Sequence, residues 1–290
     1  MANQKLLLVD GMAILFRAYF ATTFGSSSSI RRTSSGLPVN AVHGFVRYFM
    51  DAVKTFEPTH IICCWDMGST TFRTEQYDGY KSNRPSAPED LVPQFDLVKE
   101  VVASFNVPNI GIEGYEADDC IGTLARAFKD QAEVVVVTGD HDMLQLVDES
   151  VSVAIMKKGI GNYMVYTPLS LMEERQLTPA QIIDIKGLMG DTSDNYPGVK
   201  GIGEKTAHKL IQEHGSIDGL LANLEAVSKT IRAKIEADLD MLHLSRDLAT
   251  IRCDAPVSAE LEACCWAYER EIVLRKFEEL EFKSLVALIS

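Results

Sequence analysis

Three short, almost unbroken apolar runs mark the first half of the chain: Leu6-Leu7-Leu8-Val9, Ile61-Ile62-Cys63-Cys64-Trp65 and Val134-Val135-Val136-Val137. A strand with one face in water alternates apolar and polar residues, whereas a strand covered on both faces does not. These runs therefore predict central strands of a parallel sheet. A further strand is predicted over 151–156. Between the runs the spacing turns helical, over 44–55 (Phe45, Phe49, Ala52, Val53) and again over 117–128. Strand and helix in alternation predict an α/β fold, a mostly parallel central sheet flanked by helices.

Past about residue 176 only short helical patterns follow. Thr178-Pro179-Ala180-Gln181 supplies a cap, a proline at the first helical position and a glutamine that closes a capping box, which predicts a helix over 179–189. Others are expected over 204–213, 217–224, 228–238, 240–251 and 268–280. Two stretches look irregular. Residues 22–36 are rich in Ser and Gly and are expected to form a mobile loop. Residues 68–95 scatter Lys, Arg and aromatics among three prolines, and should lie over the C-terminal edge of the sheet because they leave the second strand. The pattern divides the chain into an α/β part, 1–175, which contains the 68–95 segment, and a helical part, 176–290.

Composition narrows the class. The chain has 290 residues, 46% hydrophobic and 24% charged, which suits a folded globular protein and excludes disorder, collagen and a small disulfide scaffold. No apolar run approaches the ~18–20 residues of a membrane span, and no signal-peptide core opens the chain. The six cysteines include no C-x-x-C spacing, so they read as reduced, buried hydrophobes rather than disulfides or zinc ligands. A cytoplasmic protein is expected. The formal charge of −13 argues, at first sight, against nucleic acid as a partner.

The acids change that picture. Each apolar run leads into a carboxylate: Val9-Asp10, Trp65-Asp66, and Thr138-Gly139-Asp140 followed by Asp142. Ligands of open α/β sheets bind beyond the carboxyl ends of the strands, so these acids aim at one place. Glu116-Ala117-Asp118-Asp119 opens a helix, where its dipole tolerates negative charge, and Asp191 and Asp194 follow the helix at 179–189. Singly, each acid reads as a cap or turn residue. Together they repel and need cations, and hard oxygen ligands point to Mg²⁺ or Mn²⁺; with no His or Cys expected in the cluster, zinc is disfavoured. Nine acids exceed the needs of one ion. Two ions about 3.5–4 Å apart are the usual device for in-line displacement at a phosphodiester.

These residues carry a resemblance. The runs LLLVDGMAILFRAYFA (6–21), TFR (71–73), YKSNRP (80–85), GYEADDCIGTLA (114–125), VVTGDHDMLQLV (136–147) and KGLMGDTSDNYPGVKGIGEKTA (186–207) cover nearly the whole chain. They are similar to the 5′→3′ exonuclease domain of bacterial DNA polymerase I and the related flap endonucleases. The resemblance implies a resolvase-like (PIN-like) sheet with a helical C-terminal part, and a stand-alone homologue, since no polymerase domain follows residue 290. It assigns Asp10, Asp66, Glu116, Asp118, Asp119 and Asp140 to a first metal, and Asp142, Asp191 and Asp194 to a second, with Asp140 a candidate to be shared by both. Lys81 and Arg84 match basic residues of an arch, about 68–95, over the active site, and with Asp140 and Asp142 they are the expected catalytic residues. Arg17, Arg73, Tyr77 and Tyr80 are weaker DNA-contact candidates, the tyrosines by stacking on an unpaired base. One departure is visible: the family often has a Lys soon after the second strand's Asp, where this chain has Met67-Gly68.

Gly198-Val199-Lys200-Gly201-Ile202-Gly203-Glu204-Lys205 sets small residues before a helix start, where backbone N–H groups can approach a phosphate. Lys200, Lys205 and Lys209 add cations beside Gly201 and Gly203. After the metal-site acids, this reads as a helix–hairpin–helix at about 185–215 (the H3TH element of the family), which grips duplex backbone without reading sequence and, by the resemblance, holds K⁺. The function implied is a structure-specific, metal-dependent 5′→3′ exonuclease and flap endonuclease. Its substrates would be DNA with 5′ ends, flaps or nicks, and RNA/DNA hybrids, in replication, repair and primer removal. A monomer with a functional link to a DNA polymerase is expected. Two other readings compete: a non-catalytic junction binder, whose signature would be missing acids, and a small toxin-type ribonuclease, which lacks the glycine hairpin. The nine acids account for most of the net charge, while residues 195–235 carry six Lys and Arg against four acids. DNA binding is therefore expected to be weak and salt-sensitive without divalent cations.

Overall fold

The computed structural model describes residues 4–23 and 30–289. Six strands form one sheet: β1 (Lys5–Asp10), β2 (His60–Cys64), β3 (Asn109–Ile110), β4 (Glu133–Thr138), β5 (Val151–Met156) and β6 (Tyr163–Tyr166), in the order β3-β2-β1-β4-β5-β6. Every neighbouring pair is parallel except β5 with β6. The helices of this half are α1 (Gly11–Thr22), α2 (Asn40–Phe56), α3 (Phe72–Gln76), α4 (Gln94–Ser104), α5 (Ala117–Phe128) and α6 (Pro168–Arg175). Then come α7 (Pro179–Met189), α8 (Glu204–His214), α9 (Ile217–Ala222), α10 (Lys229–Ala237), α11 (Leu239–Ala249) and α12 (Arg270–Glu279).

The apolar runs are buried on both faces, as their lack of alternation requires. Leu7, Val9, Ile61, Cys63, Val135 and Val137 face one core with α1, α2 and α4. Their neighbours Leu6, Leu8, Ile62, Cys64, Val134 and Val136 face a second core with α5. A third core, built on Ile185, Leu188, Leu210, Ile211, Ile217 and Leu242, belongs to the helical half. The expected helical part is not uniform, however. Val273 and Phe277 of α12, with Leu280 and Phe282, return to the first core beside α2, so the end of the chain packs with the sheet.

Three local expectations change. The first concerns α2, which begins at Asn40 rather than at 44. Its first turn has no side-chain cap of its own, and Gln94 supplies one instead, its Oε1 accepting from Ala41 N (2.8 Å) and Val42 N (3.1 Å). The second concerns the expected loop at 22–36. Residues 24–29 of it lie outside the described residues, while 30–36 form a tied turn. Val39 N donates to Arg31 O and Gly36 N to Thr33 O, Arg32 pairs with Asp90, and Ser34 N donates to Glu281. The third concerns α1, α4, β3 and β6, which carry no distinct sequence pattern and emerge only in the fold. Among the described residues no helix is long and apolar enough to cross a membrane.

Candidate active site

Asp10 ends β1 and caps α1. Its Oδ1 accepts from Ala13 N at 2.9 Å and its Oδ2 from Thr138 Oγ1 at 2.7 Å, which ties the ends of β1 and β4 together. The helix starts directly after this acid because residue 11 is glycine. A Cβ there would lie 2.6 Å from the Trp65 ring. Parallel register sets Asp10 opposite Cys64 and Val9 opposite Val137, so Asp66 and Asp140 leave the sheet at the same edge. Asp66 Oδ1 accepts from Ala117 N at 2.7 Å and thereby holds the start of α5, which Glu116 caps and whose first turn carries Asp118. Asp140 Oδ1 accepts from Asp142 N at 2.9 Å in the 3-10 turn that follows β4.

Asp191 and Asp194 come from the loop after α7. Asp191 and Tyr196 exchange backbone hydrogen bonds of 2.8 and 3.0 Å, closing the loop on itself. Gly190 and Gly198 meet back to back at its neck, both with positive φ. A Cβ on Gly190 would lie 2.4 Å from the Pro197 carbonyl carbon, and one on Gly198 2.3 Å from Gly190 N. No other residue fits that neck. The 68–95 segment is stitched to this loop. Lys81, itself at positive φ, donates its N–H to Asp194 O (2.8 Å); Asn83 Nδ2 donates to Thr192 O (2.8 Å) and Asn195 Nδ2 to Gly79 O (2.7 Å).

The result is a cleft of about 600 Å³ lined by Asp10, Asp66, Glu116, Asp118, Asp140, Asp142, Asp191 and Asp194, with Arg17, Lys81, Arg84 and Lys186. Eight of the nine expected acids are thus brought together from five separate stretches of chain. Burial and crowding act on them strongly. Burial first, then the charges of Asp66 and Asp140, push the Asp10 carboxyl up to about 6 despite its two hydrogen bonds. Burial and Asp140 push Asp142 up to about 7 and raise Asp118 well above the ordinary carboxylate range; burial and Glu116 raise Asp66. Asp191 goes the other way: burial opposes it, but hydrogen bonds from Lys186 and Ser193 hold it below its usual value.

Two lysines lie between acids. Lys81 Nζ stands 2.6 Å from Glu116 Oε1 and 3.9 Å from Asp194 Oδ2, and Arg84 Nη2 stands 2.5 Å from Asp194 Oδ1. Lys186 Nζ stands 2.7 Å from Asp142 Oδ1 and also contacts Asp191 Oδ2. Among the described residues, no three acids close on one point as they stand. Lys186 was not among the expected site residues. The signal for it was faint: the one cation of α7, in its last turn, a position that ordinarily serves the helix dipole.

Several expected residues sit elsewhere. Asp119 does not reach the cleft. It is fully buried, and its two oxygens take a bidentate pair from Arg73 (2.8 and 2.8 Å), Glu116 N (3.0 Å) and Arg252 N (2.8 Å), which uses its capacity as a ligand. Arg73 is correspondingly buried and also donates to Leu248 O and Thr250 O, so it offers nothing to DNA. Tyr80 is buried too, its hydroxyl 3.1 Å from both Glu116 and Asp194 and its ring stacked on Tyr196, so that ring is not free for a base; Tyr77 packs beside them half-buried. Arg17 lines the cleft but spends two N–H groups on Met156 O (2.8 Å) and Lys157 O (2.6 Å). His141, a residue type not expected in the cluster, lines the cleft; burial and Arg175 push its pKa down.

The glycine turn lies between α7 and α8. Gly201 has positive φ, Gly203 caps α8, and Lys200, Lys205 and Lys209 are exposed. The turn is anchored from behind: Lys200 N donates to Asp238 Oδ2 (2.7 Å) and Lys234 Nζ to Gly201 O (2.8 Å). Lys209 stands 3.8 Å from Glu213.

Sheet, acid-lined cleft and helical half define a hydrolytic nuclease on a resolvase-like scaffold, and the comparisons agree. Residues 5–176 match the N-terminal resolvase-like domain of 5′-3′ exonucleases, and residues 177–271 match their C-terminal SAM-fold domain. The chain belongs to the 5′-3′ exonuclease family. It is 54% identical to a 5′-3′ exonuclease of Bacillus subtilis, over 93% of this chain and 91% of that one. It is also 42% identical to DNA polymerase I of Bacillus caldotenax, over 98% of this chain but only 32% of the polymerase, so it spans about a third of that enzyme. In fold it resembles a bacteriophage T5 flap endonuclease, crystallised in a pseudo-enzyme–product complex with DNA and metal ions, at a TM-score of 0.70 and 23% identity over 96% of this chain and all of that one.

Proposed function

We propose that this nuclease is a metal-dependent, structure-specific 5′-3′ exonuclease and flap endonuclease acting on DNA with 5′ ends, flaps or nicks and on the RNA strand of hybrids. The observation that carries the reading is the convergence of eight carboxylates in one cleft edged by cations. The donor set fits hard divalent ions: it is carboxylate oxygen without cysteine, and burial together with neighbouring carboxylates raises the pKa values of Asp10, Asp66, Asp118 and Asp142, a cost that a bound cation would offset. Asp10, Asp66, Glu116, Asp118 and Asp140 would hold one ion, and Asp142, Asp191 and Asp194 the other, as Mg²⁺ or Mn²⁺. When bound, such a pair supplies Lewis acidity for in-line hydrolysis of a phosphodiester.

The protein's own groups do the rest. Lys81 and Arg84, which line the cleft, would offer positive charge to the phosphate as its charge builds. Residues 1–175 carry six of the eight cleft acids in this reading, and the helical part completes the site with Asp191 and Asp194. In the helical part, Lys200, Gly201, Gly203, Lys205 and Lys209 grip the duplex backbone, with K⁺ at the turn. A monomer with a functional link to a DNA polymerase completes the proposal.

A 5′-labelled flap substrate with Mg²⁺ or EDTA tests it. Asp140→Asn and Asp191→Asn should each abolish Mg²⁺-dependent cleavage while leaving flap binding in a gel-shift assay largely intact. Full activity in either variant would overturn the metal assignment. Lys81→Ala should lose turnover far more than affinity.

A further inference from the structure

Lys186 is the one cation of α7, and the helix cannot carry it away. Asp184 on the same helix pairs with Arg246 of α11 at 3.1 Å, and Gly187 lies so close to that helix that a Cβ would stand 3.0 Å from Arg246 Cβ. The side chain, one-fifth exposed, reaches into the cleft and touches Asp142 from the 3-10 turn after β4 and Asp191 from the loop after α7. A single ammonium thus spans the two acids that come from different halves of the chain. A divalent ion shared by those acids would bring its oxygens to about 2.0–2.1 Å, and so would need the point that the ammonium occupies.

We infer that Lys186 is a built-in stand-in for the second divalent ion. It holds Asp142 and Asp191 together when no ion is present, and must swing out for one to enter. This inference rests on the two-ion reading above. It makes Lys186 a positioning residue that lowers the affinity of the second site, leaving the site formed by Asp10 and Asp118 unaffected. The displaced ammonium then needs a new anion, and the anion that arrives at the cleft is the phosphate of the substrate. Loading of the second ion is thereby linked to occupation of the cleft by DNA.

Calorimetric titration of the full chain with Mn²⁺ alone, without DNA, separates the possibilities. The parent should bind two ions of unequal affinity. Lys186→Met should tighten the weaker site at least tenfold and leave the stronger one unchanged, and Lys186→Gln, a polar neutral side chain that guards against misfolding of the first variant, should do the same. Lys186→Arg should bind no tighter than the parent. In EDTA the neutral variants should melt below the parent, and Mn²⁺ should raise their melting temperature by more than it raises the parent's. Two sites in the parent with the weaker one unchanged or weakened in both neutral variants would overturn the inference alone. A single site in the parent and in both neutral variants would overturn the two-ion reading and the inference with it.

Discussion

The Asp10 carboxyl is almost wholly buried, and burial outweighs its hydrogen bonds from Ala13 and Thr138, so its pKa rises to about 6. In the unfolded chain it has an ordinary value near 4. Below that value both states are protonated; between the two, the unfolded state gives up its proton first. Stability therefore falls as pH rises from about 4 through 6, by roughly 3 kcal/mol from this residue. Urea midpoints measured in EDTA should decline over that range, and Asp10→Asn should flatten the decline; a parent that gains stability relative to Asp10→Asn would contradict it. Divalent affinity should move the opposite way and rise with pH, because the ligands must be ionised. Single residues also show what the sequence conceals. That acids gather beyond the strand ends is written in the runs themselves. Which of Asp118 and Asp119 enters the cleft is not, because successive helical residues point about 100° apart and the choice depends on Arg73, 46 positions away.

At the scale of elements, Arg73 joins α3 to α5 through Asp119 and to the end of α11 through the Leu248 and Thr250 carbonyls. The pair is fully enclosed, so removal of one partner leaves a buried charge. Asp119→Ala should cost about 3–5 kcal/mol of stability, read from the denaturant midpoint. Mn²⁺ affinity in the fraction that folds should match the parent; selective loss of metal with unchanged stability would instead restore Asp119 to the ligand set. The same scale decides how far elements were legible. Strands β1, β2 and β4 lie in the middle of the sheet and must be apolar on both faces, which leaves a plain mark. Strand β6 is a four-residue edge that leaves almost none, and the start of α2 depends on an amide contributed by Gln94. Long-range partners, not propensity, set those boundaries.

Across the whole molecule the formal charge of −13 and the proposed DNA partner are reconciled by separation. The acids lie in the cleft, while Lys200, Lys205 and Lys209 stand exposed on and after the glycine turn. If these lysines meet phosphates, each contact contributes about 0.9 to the slope of log affinity against log salt. The triple Lys→Ala variant should therefore bind flap and plain duplex more weakly by similar factors and show a slope shallower by about 2–3. An unchanged slope, measured by fluorescence anisotropy in a series of KCl concentrations, would remove the turn from the duplex interface.

The closed loop between Gly190 and Gly198 has a consequence during synthesis. It carries the last cleft acids, and Asp194 is reached only after two-thirds of the chain has been made. Strand β1, which bears the first acid, lies between β2 and β4, both of which leave the ribosome later. A nascent chain short of that loop carries six of the eight cleft acids, and the full set comes together only once Asp191 and Asp194 have been added from the helical half.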